Sequence, residues 1–108
     1  MITVSKAAAQ QVMRSIEESG AMGLPLRIAV HPNGPGGSFH YQMGFDDKVD
    51  PTDEQLQSQG VLLIVDQNSA PLAKGMTLDY VEIEGTLEFI FINPNDPNYR
   101  PPAQSSND

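Results

Sequence analysis

The chain has 108 residues, 39% of them apolar, which is one domain's worth of sequence and enough for a single modest core. Six basic residues stand against fourteen acidic ones, a formal charge of −8, and the cations are scattered along the chain, which argues against direct binding to a nucleic-acid backbone or to an anionic membrane surface. Cysteine is absent, which excludes disulfides, thiolate catalysis and any cysteine-ligated zinc or iron–sulfur centre, and no apolar run reaches the roughly eighteen residues a bilayer-spanning helix needs.

The opening residues 1–11 lack the basic and apolar regions of a secretory signal, so a cytoplasmic location is expected. Lys6 to Ser19 carries Ala9, Val12, Met13 and Ile16 at spacings of three and four, which predicts a helix with one apolar face. Ser5 is placed to cap its start and Gly20 to end it in the left-handed conformation. From Leu24 the period changes to two. Leu24, Leu26, Ile28 and Val30 alternate with Pro25, Arg27 and Ala29, and after the loop His31-Pro32-Asn33-Gly34-Pro35-Gly36-Gly37 the residues Phe39, Tyr41, Met43 and Phe45 alternate in the same way. The two segments predict a hairpin with a long glycine-rich connection.

An acidic turn follows over residues 46–54, and Gln55 to Ser58 reads as a short polar edge strand. Val61 to Val65 is a continuous apolar run, expected to be a strand covered on both faces. Asp66 to Ala73 has room for one short helical turn capped by Asp66. Met76 to Ile83 and Leu87 to Ile92 predict two more strands, turned at Gly85. Beyond Asn93 the composition becomes Asn, Pro, Asp and Ser, which predicts a packed domain over residues 1–95 and a flexible tail over 96–108. The expected fold class is α+β, a compact β-rich domain of about six or seven short strands with an N-terminal helix and a second short helix.

Few residues offer chemistry. Gly34, Gly36 and Gly37 do not follow a phosphate-binding pattern and do not open a helix, so a long hairpin connection accounts for them. His31 and His40 flank the loop and could approach across the hairpin. With Asp46 or Asp47 they would make a weak metal site, but nothing in the sequence fixes that geometry and surface histidines are the preferred reading, the metal site being the alternative. Ser38 beside His40 lacks the G-x-S-x-G elbow of a serine hydrolase. The acidic pairs Asp46/Asp47 and Glu17/Glu18 read as solvated surface. No enzyme activity, cofactor or metal is expected from these residues.

The order of segments is more informative. Ile2-Thr3-Val4-Ser5-Lys6-Ala7-Ala8-Ala9, Gly37-Ser38-Phe39-His40-Tyr41-Gln42-Met43-Gly44-Phe45-Asp46, Gly60-Val61-Leu62-Leu63-Ile64-Val65-Asp66, Leu78-Asp79-Tyr80-Val81 and Phe91-Ile92-Asn93-Pro94-Asn95 together resemble the A-type iron–sulfur carrier family (HesB/IscA-like), collinearly from Met1 to about Asn95. The resemblance implies a β-rich fold with a leading helix, often dimeric. It also implies three cluster-ligating cysteines, one in the hairpin loop and two just after Asn-Pro-Asn. Here those positions carry Gly36, Arg100 and Pro102.

The resemblance therefore implies the fold without the ligands, as in a cysteine-free branch of the family encoded with the dissimilatory sulfite reductase genes of sulfur-oxidising bacteria. That branch implies a regulatory or protein-binding role and a chain that is a monomer or homodimer. In the family the loop and the tail converge on one side of the domain. The expected partner surface is accordingly Asn33, Gly34, Pro35, Gly36 and Gly37 from the loop, with Tyr99 and Arg100 from the tail.

Overall fold

The computed structural model describes residues 1–34 and 36–99. Seven strands and one helix make two sheets around one core, which is the expected α+β class. The strands are β1 (Thr3–Val4), β2 (Leu26–His31), β3 (His40–Phe45), β4 (Glu54–Ser58), β5 (Val61–Val65), β6 (Thr77–Ile83) and β7 (Thr86–Ile92); α1 spans Lys6–Ser19. The second short helix is a single 3₁₀ turn, Ala70–Ala73.

One sheet has the order β3-β2-β5-β4, with β2 and β5 parallel and the outer pairs antiparallel. The other has the order β1-β6-β7, with β1 parallel to β6 and β6 antiparallel to β7. The inward residues of both sheets, among them Val4, Leu26, Ile28, Val30, Leu63, Val65 and Leu78, meet with Ala8 and Val12 of α1 in one cluster. Tyr41, Met43 and Phe45 of β3 and Phe89 and Phe91 of β7 close it.

Helix α1 begins where Ser5 accepts a hydrogen bond from the Ala8 N–H, and it ends at Gly20 with φ +72°. The Ser5 hydroxyl in turn donates to Asp79 (2.6 Å), so β6 orients the cap. The buried face of the helix is Ala8, Ala9 and Val12, and Ile16 packs against it. Met13, expected on that face, is 46% exposed, because the buried stripe runs through Ala8, Ala9 and Val12 to Ile16 and leaves Met13 at its edge. In β5, Leu62 is 41% exposed while its four neighbours in the strand are buried, so only part of the run is covered on both faces. Ile64, on the outer face, is enclosed between Arg27 and Gln55 of the flanking strands.

The acidic turn is more than solvated surface. Arg27 donates through Nε to Asp46 (2.6 Å) and through both terminal nitrogens to Asp53 (3.2 and 2.7 Å), and the Asp53 side chain is almost wholly enclosed. The ion group ties the end of the β2–β3 hairpin to the start of β4. Hydrogen bonds from Arg27, then from backbone N–H groups, hold both carboxyls below the usual carboxylate range.

Past Asn95 the chain stays attached to the fold. Asp96 binds β3 through its carboxylate, so the packed unit runs beyond the expected boundary at Asn95 and takes in at least Asp96. The remainder of the expected tail, 100–108, lies outside the described residues. Among the described residues no helix is long and apolar enough to cross a membrane.

Candidate functional site: the loop–tail side

Strands β2 and β3 pair along their whole length, from Leu26↔Phe45 to His31↔His40, so residues 32–39 leave the sheet at one end as a single protruding loop. Gly34 and Gly36 have φ of +84° and +73°, and Gly37 donates its N–H to the Gly34 carbonyl (3.2 Å) to close a tight turn. A Cβ on Gly37 would stand 2.5 Å from the Asn33 carbonyl oxygen, so only glycine fits there.

The tail comes to this loop by turn chemistry. Asn93 is buried, and its side-chain amide donates to the Leu72 carbonyl (2.8 Å) while its oxygen accepts from the Asn95 N–H (3.0 Å). The Asn95 side chain donates to the Lys74 carbonyl (2.7 Å). Two successive turns follow, closed by Asp96 N–H to Asn93 O (3.1 Å) and Tyr99 N–H to Asp96 O (2.9 Å).

Asp96 is the latch. Its carboxylate accepts from the Tyr41 hydroxyl (2.6 Å), the Phe39 N–H (3.3 Å) and the Asn98 N–H (2.9 Å). Burial works against its charge, but the hydrogen bonds from Tyr41, Asn98 and Phe39 outweigh it and hold the carboxyl below the usual range. Burial first, and the Asp96 carboxylate second, push the Tyr41 phenol up. The Tyr41 ring stacks on Phe91 with centroids 4.7 Å apart, which fixes the hydroxyl over the tail. A final contact runs from the Asn98 side-chain amide to the Ser38 hydroxyl.

The structure thus joins Ser38 and Phe39 at the end of the loop to the tail. Asn33, Gly34 and Gly36 are exposed, Gly37 is half-buried, and Tyr99 is 38% exposed. Pro35 and Arg100, and Pro102 among the degenerate ligand positions, lie outside the described residues. The residues present do not fit a cluster: no thiolate exists in the chain, and Gly36, at one ligand position, carries no side chain at all.

His31 and His40 do approach each other, as a directly opposed pair with ring centroids 6.5 Å apart. Asp46 and Asp47 are not with them. They follow the far end of β3, about 20 Å along the strand, and Asp46 is engaged by Arg27, so the three- or four-ligand set is not assembled. Ser38 bonds Asn98 rather than a histidine, and among the described residues no serine–histidine pair forms. A second exposed apolar surface lies elsewhere. Met13, Met22 and Leu62 rim a cleft of about 180 Å³ between α1, the following turn and β5.

Sequence reasoning missed Asp96, Asn93 and Asn95 as structural ties. The signal was present in Asn-Pro-Asn-Asp-Pro, where Asn and Asp stand at turn-initiating positions, but the same composition also reads as a mobile end.

Comparison with known proteins agrees with this architecture. The family model described as iron–sulphur cluster biosynthesis matches residues 1–98. The chain is 39% identical over 89 residues to the putative iron–sulfur cluster insertion protein ErpA of Dechloromonas aromatica, covering 82% of this chain and 75% of that one. It is 35% identical over 98 residues to a protein of Azotobacter vinelandii described only by its place in the nifU 5′ region, covering 91% of each. A crystal structure of IscA with a [2Fe-2S] cluster superposes with a TM-score of 0.68 at 31% identity, over 87% of this chain and 83% of that one.

Proposed function

Because the chain belongs to the iron–sulphur cluster biosynthesis family yet has no cysteine, we propose that it keeps the carrier fold, binds no cluster, and acts by protein contact in a regulatory role. One observation carries this reading: the three positions where the family resemblance places ligands hold Gly36, Arg100 and Pro102. Glycine offers no donor atom, arginine stays cationic, and proline supplies no side-chain ligand. Two imidazoles and no thiolate in the chain cannot replace them. The finer reading is a role in bacterial sulfur oxidation like that of DsrR, the cysteine-free family member encoded with the dissimilatory sulfite reductase genes. It rests on the shared loss of cysteine.

The partner in this reading is a protein that meets the loop–tail side, where Asn33, Gly34, Gly36 and Tyr99 are presented on a base fixed by Asp96. Anaerobic reconstitution with ferrous iron and sulfide is the direct test. The desalted protein is expected to be colourless, and a stoichiometric visible charge-transfer band would refute the proposal.

A further inference from the structure

We propose that His31 and His40 form a two-imidazole chelate for one divalent transition-metal ion of the nickel, copper and zinc class, on the outer face of the β2–β3 hairpin. The inference is independent of the partner-binding role and of the cluster positions. Both histidines are exposed, and they face each other across the last rung of the hairpin. Directly opposed residues hold their Cβ atoms about 4.5–5.5 Å apart, so the backbone itself fixes the bite of the pair. An ion at about 2.0–2.1 Å from one nitrogen of each ring sets the centroids about 6.5 Å apart when the two nitrogens are in line across it, and about 5 Å apart at a tetrahedral angle. The observed centroid separation is 6.5 Å with the ring planes at 27°, so the exposed side chains have to rotate their rings closer, by about 1 Å, to close the chelate.

The surroundings favour a cation. The next pair on the same face is Ala29 and Gln42, which brings no positive charge. The nearest cation along the strand is Arg27, about 13 Å away by residue count, and its guanidinium is already held by Asp46 and Asp53. The chain's charge of −8 adds a general attraction. Imidazole is a ligand for nickel, copper and zinc, and two such ligands leave the remaining coordination positions to water. The carboxylates expected from the sequence are not required.

Titration of the full, tag-free chain with nickel and with zinc at neutral pH is expected to give one saturable site. H31A and H40A should each weaken nickel binding by about a hundredfold, because a single arm lacks the second contact that the chelate makes intramolecularly at high effective concentration. Both positions are exposed, so circular dichroism should show unchanged melting for each variant. A second readout needs no variant: sub-stoichiometric nickel should broaden the imidazole proton signals of His31 and His40 together. Absence of saturable binding, binding retained in the H31A/H40A double variant, or broadening of only one imidazole would each overturn the assignment.

Discussion

Ser69 shows how one side chain can do the work of a strand. The parallel pairing of β2 with β5 stops at Ile28↔Val65, which leaves Val30 without a strand partner on that side. The buried Ser69 hydroxyl accepts from the Val30 N–H (2.9 Å) and donates to the Val30 carbonyl (3.1 Å). Asp66, expected to cap the short helix, does not do so, since the helix begins after Ser69 and has no side-chain capping bond; Asp66 instead positions Ser69 by accepting its N–H (2.6 Å). Ser69→Ala would leave both Val30 groups unpaired, at a cost of about 1–3 kcal/mol. The check is a lower urea midpoint at unchanged slope. An unchanged midpoint would show that Val30 finds other partners. Residues of this kind were illegible because a serine between two elements carries no pattern. The caps Ser5 and Gly20 were legible because capping chemistry is local.

At the scale of elements, α1 and β5 have the bounds their sequence predicts, β3, β4, β6 and β7 differ by one residue at one end, and β2 starts two residues later and ends one residue later than expected. Each is set by its own periodicity. Strand β1 was missed because two residues show no period; it exists through bonds from Thr3 N–H to Met76 O and from Ser5 N–H to Leu78 O, far away in sequence. Residues 96–99, expected to be flexible, differ for a related reason. Their attachment comes from the Tyr41 hydroxyl on Asp96, not from their own composition.

The tail contacts distinguish two truncations. Ending the chain after Tyr99 retains every hydrogen bond described for the tail and should leave stability unchanged. Ending it after Asn95 removes the acceptor of the Tyr41 hydroxyl and of the Phe39 N–H and should cost about 1–2 kcal/mol. Equal melting temperatures for the two truncations would show that Asp96 is not a latch. The partner surface has its own discriminating pair. Tyr99→Ala, on the loop–tail side, should weaken partner binding by about tenfold or more, whereas Met22→Ser, on the α1 cleft, should leave it unchanged. The reverse result in a binding assay would move the interface to the cleft.

For the whole molecule, the acidic excess sets the response to acid. Of fourteen acidic residues, Asp46, Asp53 and Asp96 are held below the usual carboxylate range, the first two chiefly by hydrogen bonds from Arg27 and the third by hydrogen bonds that overcome its burial. In the unfolded chain these groups return to about 3.9. A carboxyl whose folded value lies lower binds fewer protons folded than unfolded. Its stabilisation is fully present above the unfolded value and is lost as pH falls through the folded one. From these three groups stability should therefore be flat from pH 7 to about pH 5 and should fall steeply below about pH 4. Arg27→Gln removes the cation that Asp46 and Asp53 share, so their folded values rise toward the unfolded ones. The variant should be less stable at neutral pH, and the gap should narrow on acidification because the wild-type advantage is itself lost there. Asp96→Asn should show the same narrowing, through a group at the opposite end of the β2–β3 hairpin from the Arg27 ion group. Urea midpoints measured from pH 7 to pH 3 decide the matter, and a gap that stays constant across that range would show that neither carboxylate group is linked to folding.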